Sequence, residues 1–216
     1  MSVVAPNAVR QRTAHHLATR DRIVEAAWDL AREQGLTGFS LRELGARVGM
    51  KAPSLFVYVD GKNALFDAMF AQGWAVWFDR RARRRWPPRT RPRARVAAFA
   101  RAFVEFAVED PVRYQLLAMR VVPGFVPSEE SMAANHADQR LLMEEFHALG
   151  VEDAEAAWDL YTAVIAGLLS QQLANEPGGR RWLRRLPELT DLLCDHLGLP
   201  ADPPGPARAP RPRTGG

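Results

Sequence analysis

The chain has 216 residues, of which 47% are hydrophobic, and carries a formal net charge of +4. This length and apolar fraction suffice for one sizeable globular domain plus a small one, and they exclude a chain that is disordered throughout. The single cysteine, Cys194, excludes an internal disulfide and any zinc site built on several cysteines.

Hydropathy patterning excludes further classes. No apolar stretch approaches the ~20 residues that span a bilayer, and the N-terminal residues contain no hydrophobic signal-peptide core. We therefore expect a cytoplasmic protein without a membrane partner. Cys194 lies in an apolar run with Leu192, Leu193 and Leu197, so a buried, inert thiol is expected there.

Residues 1–18 show no hydrophobic periodicity and are predicted to form a flexible basic arm. From about Arg20, apolar residues recur at three- and four-residue steps through Ala31, which predicts an amphipathic helix that ends at Gly35. Arginine arms can enter a minor groove of DNA. Whether this arm does so is left open by the sequence.

Two short helices separated by a glycine turn are predicted next. Ser40 and Glu43 have the spacing of a capping box, in which each side chain accepts a hydrogen bond from the other residue's amide. The helix continues through Arg47 and ends at Gly49, which supplies the tight turn that lets two helices cross closely.

A third helix is predicted from Pro53, where a missing amide costs nothing, to about Tyr58. Leu55 is expected to face the core. Lys62 then begins a long fourth helix that carries many apolar residues.

Helical patterns continue to the end of the chain. Further helices are predicted over residues 96–108, 111–121, 128–150, 152–174 and 187–197. Residues 199–216 are rich in proline and glycine and are predicted to be a disordered tail. Because no β-type alternation of useful length occurs, the predicted fold is all-α.

Charge is distributed unevenly along the chain. Residues 80–95 carry nine arginines and no acidic residue, whereas residues 96–179 carry 4 arginines and 13 acidic residues. A basic front and an acidic body suit a protein that presents one end to a polyanion. For the arginine run itself, a solvated linker is favoured over direct contact with DNA, and both interpretations stay open.

The segment from Gly35 to Phe66, GLTGFSLRELGARVGMKAPSLFVYVDGKNALF, resembles the DNA-binding domain of the TetR/AcrR family of transcriptional regulators. The shared features are a capped second helix, a Gly-apolar turn, a short recognition helix, an aromatic exit and a lysine that begins the fourth helix. The resemblance covers about residues 20–70. This chain departs from the family in having Phe56 where a tyrosine is common, so one phosphate contact through a hydroxyl is in doubt.

This resemblance implies a helix-turn-helix domain over residues 19–66 and a helical effector-binding and dimerisation domain over residues 67–198. The implied function is a transcriptional repressor, a homodimer that binds a palindromic DNA operator and is released by a small-molecule effector. Such a protein is not an enzyme, needs no cofactor or metal and is associated with the nucleoid.

Contacts with DNA are expected from the second and third helices and from the start of the fourth. The N-terminus of a helix and exposed basic or hydroxyl groups suit phosphates, while the third helix enters the major groove. The residues expected to contact DNA are Ser40, Leu41, Arg42, Lys51, Ala52, Pro53, Ser54, Phe56, Val57, Tyr58 and Lys62. Since few of these are polar, DNA shape is expected to contribute to specificity.

The body contains enough aromatic and thioether side chains to line an apolar effector cavity, which indicates an apolar or aromatic effector. For each residue alone, ordinary core packing is the competing interpretation. The residues expected to line the cavity are Trp74, Phe78, Phe103, Phe106, Tyr114, Met119, Met143, His147, Trp158 and Tyr161.

A dimer interface is expected from the last two long helices. The helix over residues 152–174 carries a row of small residues, Ala156, Ala163, Ala166, Gly167 and Ser170, which permits close approach of a second copy. With the helix over 187–197 it would form a four-helix interface. Two recognition helices about 34–36 Å apart would then read a palindrome.

Two other classes of protein remain as alternatives. An enzyme would need paired carboxylates, a nucleophile with a base, or a metal cluster, and the scattered histidines His136, His147 and His196 show no ligand spacing. A helical partner-binding module without DNA activity is the other alternative. Loss of DNA affinity on substitution of Tyr58 and Lys62 would discriminate against both.

Overall fold

The computed structural model describes residues 6–204, with only the backbone described for residues 6–13 and for Ala52. Throughout this described part the secondary structure consists of helices and turns, without a strand. The prediction of an all-α fold is confirmed. Among the described residues, no helix is long and apolar enough to cross a membrane.

The helices follow the sequence periodicity closely, and most of their ends lie within a few residues of the predicted positions. Their bounds are α1 Pro6–Gln34, α2 Leu41–Val48, α3 Ala52–Phe56, α4 Gly61–Ala82, α5 Pro92–Glu109, α6 Pro111–Ala118, α7 Glu129–Ala148, α8 Ala154–Asn175 and α9 Leu186–His196. A 3-10 turn, Leu183–Arg185, precedes α9.

Helix α1 begins at Pro6, well before the predicted start near Arg20. Most of the segment 1–18 that was predicted as a flexible arm is therefore helical. The physical reason is that no proline or glycine interrupts the chain between Pro6 and Gly35, so the helix can propagate without an apolar face. Residues 1–5 lie outside the described residues.

The first compact unit comprises the chain up to residue 84 together with residues 105–140. Its core is built around the fully buried Trp28, with Leu44, Leu55 and Leu65 from α2, α3 and α4. The Trp28 indole donates a hydrogen bond of 2.6 Å to Gln72 Oε1. Because burying one such leucine contributes on the order of 2 kcal/mol, this core holds the three N-terminal helices in one arrangement.

The second unit comprises residues 85–104 and the chain from residue 141. Its core includes Val96, Phe146, Ile165 and Leu169. Cys194 is buried here, as predicted, and burial raises the pKa of its thiol to about 11. The thiol is therefore protonated and unreactive at neutral pH.

The predicted tail remains packed for longer than the sequence indicated. Leu199 is buried, and its carbonyl accepts a hydrogen bond of 2.8 Å from the Arg93 guanidinium. The Asp202 carboxylate accepts from the amides of Arg93 and Ala94 at the start of α5. A carboxylate at a helix N-terminus is favourable, so the tail is held there at least as far as Asp202. Residues 205–216 lie outside the described residues.

The arginine run 80–95 is paired with acidic residues, which differs from the solvated linker that the sequence favoured. Eight of its nine arginines form an ion pair with an acidic side chain. In the first unit, Arg80 pairs with Glu109, and Arg81 pairs with the buried Asp138. The acidic segment that follows the run thus supplies partners for its positive charge.

Candidate nucleic-acid interface

The predicted capping box at the start of α2 is confirmed. The Glu43 amide donates to Ser40 Oγ at 3.2 Å, and the Glu43 carboxylate accepts from the Ser40 amide at 2.7 Å. The Ser40 hydroxyl also donates to the Glu43 carboxylate at 2.7 Å, and this bond together with that from the Ser40 amide holds the pKa of Glu43 below its ordinary value. The Ser40 hydroxyl is therefore engaged within the chain, and a carboxylate already lies at the helix N-terminus where a phosphate was expected.

Two glycines shape the connection between α2 and α3, one inside α2 and one at its C-terminal end. Gly49 adopts φ 72°, the left-handed conformation that ends α2. The close approach expected at Gly49 occurs instead at Gly45, where a Cβ would lie 2.8 Å from the Met50 carbonyl oxygen. Sequence reasoning missed Gly45 because a glycine inside a helical pattern does not show which backbone approaches it.

Helix α3 is only five residues long and is anchored by one side chain. Leu55 is 1% exposed, which confirms the prediction that it faces the core. Around it, the side chains on the outer surface of α3 and its exit are exposed: Lys51, Pro53, Ser54, Phe56 and Val57. Val57 is 68% exposed and Phe56 is 50% exposed, which is costly for apolar groups unless something covers them. The predicted contact through the Ala52 side chain lies outside the described residues.

Tyr58 follows this surface and stacks on a side chain from α1. Its ring lies 4.7 Å from the His16 ring, with an interplanar angle of 25°. Offset stacking of this kind orients a ring and here holds the Tyr58 ring against the exposed His16. Sequence reasoning missed His16, because no local signal connects residues on α1 and after α3.

Lys62 lies at the start of α4, and its ammonium group is used within the chain. It donates hydrogen bonds to the Phe39 carbonyl at 2.6 Å and to the Thr37 carbonyl at 3.2 Å. It also lies over the rings of Phe39 and Phe66, 4.9 and 5.7 Å from their centroids. Lys62 therefore holds the loop that leads into Ser40.

Helix α2 carries two exposed basic residues, of which one is paired with an acidic side chain. Arg42 is exposed, whereas Leu41 is half-buried against the core. Arg47 at the other end pairs with Glu33 of α1 at 2.7 Å. The amides of Leu41 and Arg42 form no hydrogen bond among the described residues, as expected for the first turn of a helix. We call α2, the turn and α3, residues 40–58, the reading head.

The ten predicted effector-binding residues are divided between the two units. Those in the first unit are Trp74, Phe78, Phe106, Tyr114 and Met119, and those in the second are Phe103, Met143, His147, Trp158 and Tyr161. Burial raises the pKa of Tyr114, while Met119 and His147 are exposed. Within the first unit, Met119 lines a cleft of about 190 Å³. Among the described residues, no group of acidic, histidine or cysteine side chains is placed to hold a metal ion.

A protein-family comparison covers the reading head and its supporting helices. The model that describes bacterial regulatory proteins of the tetR family matches residues 23–69. This range extends from the middle of α1 to α4 and contains the capping box, the turn and Lys62.

Curated relatives match mainly the same region. A helix-turn-helix transcriptional repressor, DrrR1 of Streptomyces coeruleorubidus, is 47% identical over 51 residues, which is 24% of this chain and 19% of DrrR1. The class D tetracycline repressor of Escherichia coli is 36% identical over 50 residues, 23% of each chain. The regulator YobS of Bacillus subtilis is 28% identical over 103 residues, 48% of this chain and 53% of YobS. The chain thus spans about half or less of these relatives' lengths.

Solved structures extend the likeness over most of the fold. A TetR/AcrR-family regulator from Thermobifida fusca has a TM-score of 0.61 at 19% identity, with 81% of this chain and 95% of that one covered. A TetR variant from Acinetobacter baumannii, solved with minocycline, has a TM-score of 0.58 at 18% identity, with 82% and 94% covered. These likenesses show the fold, an N-terminal helix-turn-helix with a C-terminal helical domain.

Proposed function

This chain belongs to the TetR family of bacterial regulatory proteins, and we propose that it represses transcription as a homodimer that binds a palindromic operator. The observation that carries this proposal is the exposed surface of α3. Phe56 on this helix and its two capping residues, Lys51 and Val57, are exposed, while the buried Leu55 sets the helix's position. Such a surface suits a helix that enters the major groove, about 12 Å wide.

Each part of the reading head has a proposed role. Pro53, Phe56 and Val57 offer apolar contact to thymine methyl groups, and Ser54 offers a hydrogen bond to a base edge or phosphate. Arg42 and Lys51 neutralise phosphates. The unpaired amides of the first turn of α2 and the Tyr58 hydroxyl add contacts to the DNA backbone.

A dimer is supported by the surface of α8. The small residues of the predicted row, including Ala163 and Gly167, are exposed together with Leu160, which is 39% exposed. On α9, Leu192 is 60% exposed. When a second copy covers exposed apolar residues of a long helix, their burial stabilises the dimer relative to the separate chains. We propose that α8 and α9 of two copies form a four-helix interface.

Release by a small molecule is the proposed mode of regulation. The sign of regulation follows the relatives that are named repressors, and the related structure solved with minocycline shows that this fold can hold a small molecule in that protein. An effector that binds one dimer geometry better shifts the population toward it. We propose that such an effector displaces α4 and with it the reading heads, at the nucleoid where the operator lies.

Salt dependence of DNA binding tests the proposal. DNA fragments selected from genomic DNA by the full chain would be titrated with protein at several salt concentrations. Arg42→Gln and Lys51→Gln should each weaken binding and lower the slope of log affinity against log salt by about 1.8, because each removes a phosphate contact from both protomers and one contact contributes about 0.9. Arg140→Gln is the matched control, because Arg140 is exposed on α7 and forms no ion pair among the described residues.

If neither substitution in the reading head changed affinity or slope relative to this control, the DNA-binding proposal would be wrong. A helical partner-binding module would then be the better interpretation.

A further inference from the structure

The first unit contains a cleft outside the reading head, and this cleft has a defined chemical character. It is bounded by Phe70 of α4, Leu116 of α6, the connection between α6 and α7, and Met132 of α7. Its volume is about 190 Å³. Met119 on its wall is 41% exposed, and Val126, between two lining residues, is 74% exposed. Apolar side chains and polar groups contribute about equally to its exposed wall, and a concave surface of this mixed kind suits a small molecule with both characters.

Charge in the cleft has a single sign. Arg120 is a lining residue, is exposed and forms no ion pair among the described residues. The other polar side chain on the wall is the uncharged amide of Asn135, and no acidic residue lines the cleft. This distinguishes Arg120 from the arginines of residues 80–95, most of which pair with acids. A guanidinium beside apolar walls selects a ligand that combines an anionic group with an apolar body.

Size limits the ligand further. An apolar cavity of about 150 Å³ is sufficient for benzene, so a cleft of about 190 Å³ suits one ring or a short acyl chain with one carboxylate. Thioether side chains such as Met119 and Met132 adapt to different apolar shapes, which permits either kind of body.

A continuous set of aromatic contacts connects this cleft with the reading head. The Phe125 ring on the cleft wall lies 5.6 Å from the Phe66 ring, which lies 6.4 Å from the Phe39 ring. Phe39 directly precedes Ser40, the N-cap of α2, and its carbonyl accepts from Lys62. Leu116 belongs both to the cleft wall and to the core that supports the reading head.

The start of α7 beside the cleft is also tied to α4. The Ser128 amide and hydroxyl donate to the Asp67 carboxylate at 2.7 and 2.8 Å. Burial alone would raise the pKa of Asp67, but these hydrogen bonds outweigh burial and lower it. A ligand that moves the α6–α7 connection therefore acts on α4, which carries Lys62 in its first turn.

We propose that this cleft binds a small carboxylate with a single aromatic ring or a short acyl chain, held by Arg120, and that occupancy weakens DNA binding through Phe125. The inference rests on the proposed function for its regulatory part only. The occupied cleft displaces the Phe125 ring, which changes the packing of Phe66 and Phe39 and so the loop into α2.

Ligand binding is tested on the full chain without DNA. The probe is 4-fluorobenzoate, followed by fluorine NMR, with hexanoate as an unlabelled competitor. Arg120→Gln should weaken 4-fluorobenzoate binding at least about tenfold, as expected for loss of a charge-assisted hydrogen bond. Arg140→Gln should leave it unchanged. The neutral 4-fluorobenzamide should bind wild-type protein more weakly than the acid and be insensitive to Arg120→Gln.

The site assignment is overturned if neither acid binds, or if Arg120→Gln binds 4-fluorobenzoate as tightly as wild-type protein does. The regulatory part is tested with Phe66→Leu, which lies outside the cleft wall, keeps the core apolar and removes the ring between Phe125 and Phe39. This variant should still bind the probe but should lose most of the acid-induced drop in DNA affinity; an undiminished drop overturns the coupling. Because the probe is measured without DNA, failure of DNA binding by the ligand-free protein counts only against the proposed function.

Discussion

At the scale of single residues, Lys62 shows how a charge beside a DNA-binding surface can serve the protein itself. Its ammonium donates to two backbone carbonyls and lies over two aromatic rings. These contacts satisfy the carbonyls of the loop before α2, which have no helical partner. Lys62 therefore positions the N-terminus of α2. A DNA phosphate at this ammonium group would have to compete with the two backbone carbonyls.

We expect Lys62→Met to lower the free energy of unfolding by about 1–2 kcal/mol, because two charge-assisted hydrogen bonds are lost. DNA affinity should also fall, since α2 is held less firmly, but the salt slope should stay at the wild-type value. Denaturant titration and salt-dependent DNA binding measure the two effects. Lys51→Gln, which removes a proposed phosphate contact, provides the comparison. A salt slope lowered as much as in Lys51→Gln would show that Lys62 contacts phosphate directly.

Which site residues can be found from sequence depends on how far away their partners are. The capping box of Ser40 and Glu43 was predictable because both hydrogen bonds join residues three positions apart. His16, which stacks on Tyr58, and Gly45, which meets Met50, were not. Their roles depend on how helices pack, and neither residue type has a pattern that reveals its partner.

At the scale of elements, the arginine run explains how α5 and its flanking segment are held in the second unit. Arg89 and Arg95 both donate to the Glu145 carboxylate, at 2.9 and 2.8 Å. The Glu145 and Arg95 side chains are largely buried. Burial would raise the pKa of Glu145, but the two arginines outweigh it and lower the pKa. One carboxylate of α7 thus pairs with two guanidinium groups that would otherwise repel each other.

A lowered folded-state pKa means that ionised Glu145 stabilises the protein at neutral pH. That contribution is lost as pH falls from the ordinary carboxyl value of 4.5 toward the lower folded value. We expect Glu145→Gln to reduce stability at pH 7 by about 1–2 kcal/mol, between the values for exposed and buried pairs, and to differ less from wild type at acidic pH.

Denaturant titrations at pH 7 and at about pH 3.5 measure this difference, the lower value lying below the ordinary carboxyl range. Glu144→Gln is the control, because Glu144 is the exposed neighbour on the same helix. If Glu145→Gln lowered the free energy of unfolding by the same amount at both pH values, the assigned role of the ion pairs would be contradicted.

At the scale of the whole molecule, the proposed dimer places two reading heads on one operator. Ala163 is exposed in the middle of α8. We expect Ala163→Arg to give a monomer by sedimentation velocity, since a charged side chain in the small-residue row blocks close approach and is left unpaired. Affinity for the selected DNA should fall at least about tenfold, because a monomer binds one half-site, whereas a dimer binds both half-sites together.

The matched variant is Ala133→Arg, at an exposed position of α7 in the first unit. It should keep the oligomeric state and DNA affinity of the wild-type chain. A dimeric Ala163→Arg protein would exclude α8 from the interface.

The sequence by itself determined the all-helical fold, most helix ends and the family of the reading head. Caps, turn glycines and the 3.6-residue period act over a few residues, so they can be read without knowing the packing. It misjudged the start of α1 and the extent of the tail, where an exposed helix and a docked segment have no apolar pattern of their own.

Only the tertiary structure decided how the charged groups are used. Lys62 and its carbonyl partner are 23 residues apart, and Arg89 and Glu145 are 56 residues apart. Composition showed an excess of positive charge in the run and of negative charge after it, but the pairing depends on how the helices pack. For the same reason, only the packed helices show that Arg120 lies on the wall of a cleft while most arginines of residues 80–95 pair with acidic side chains.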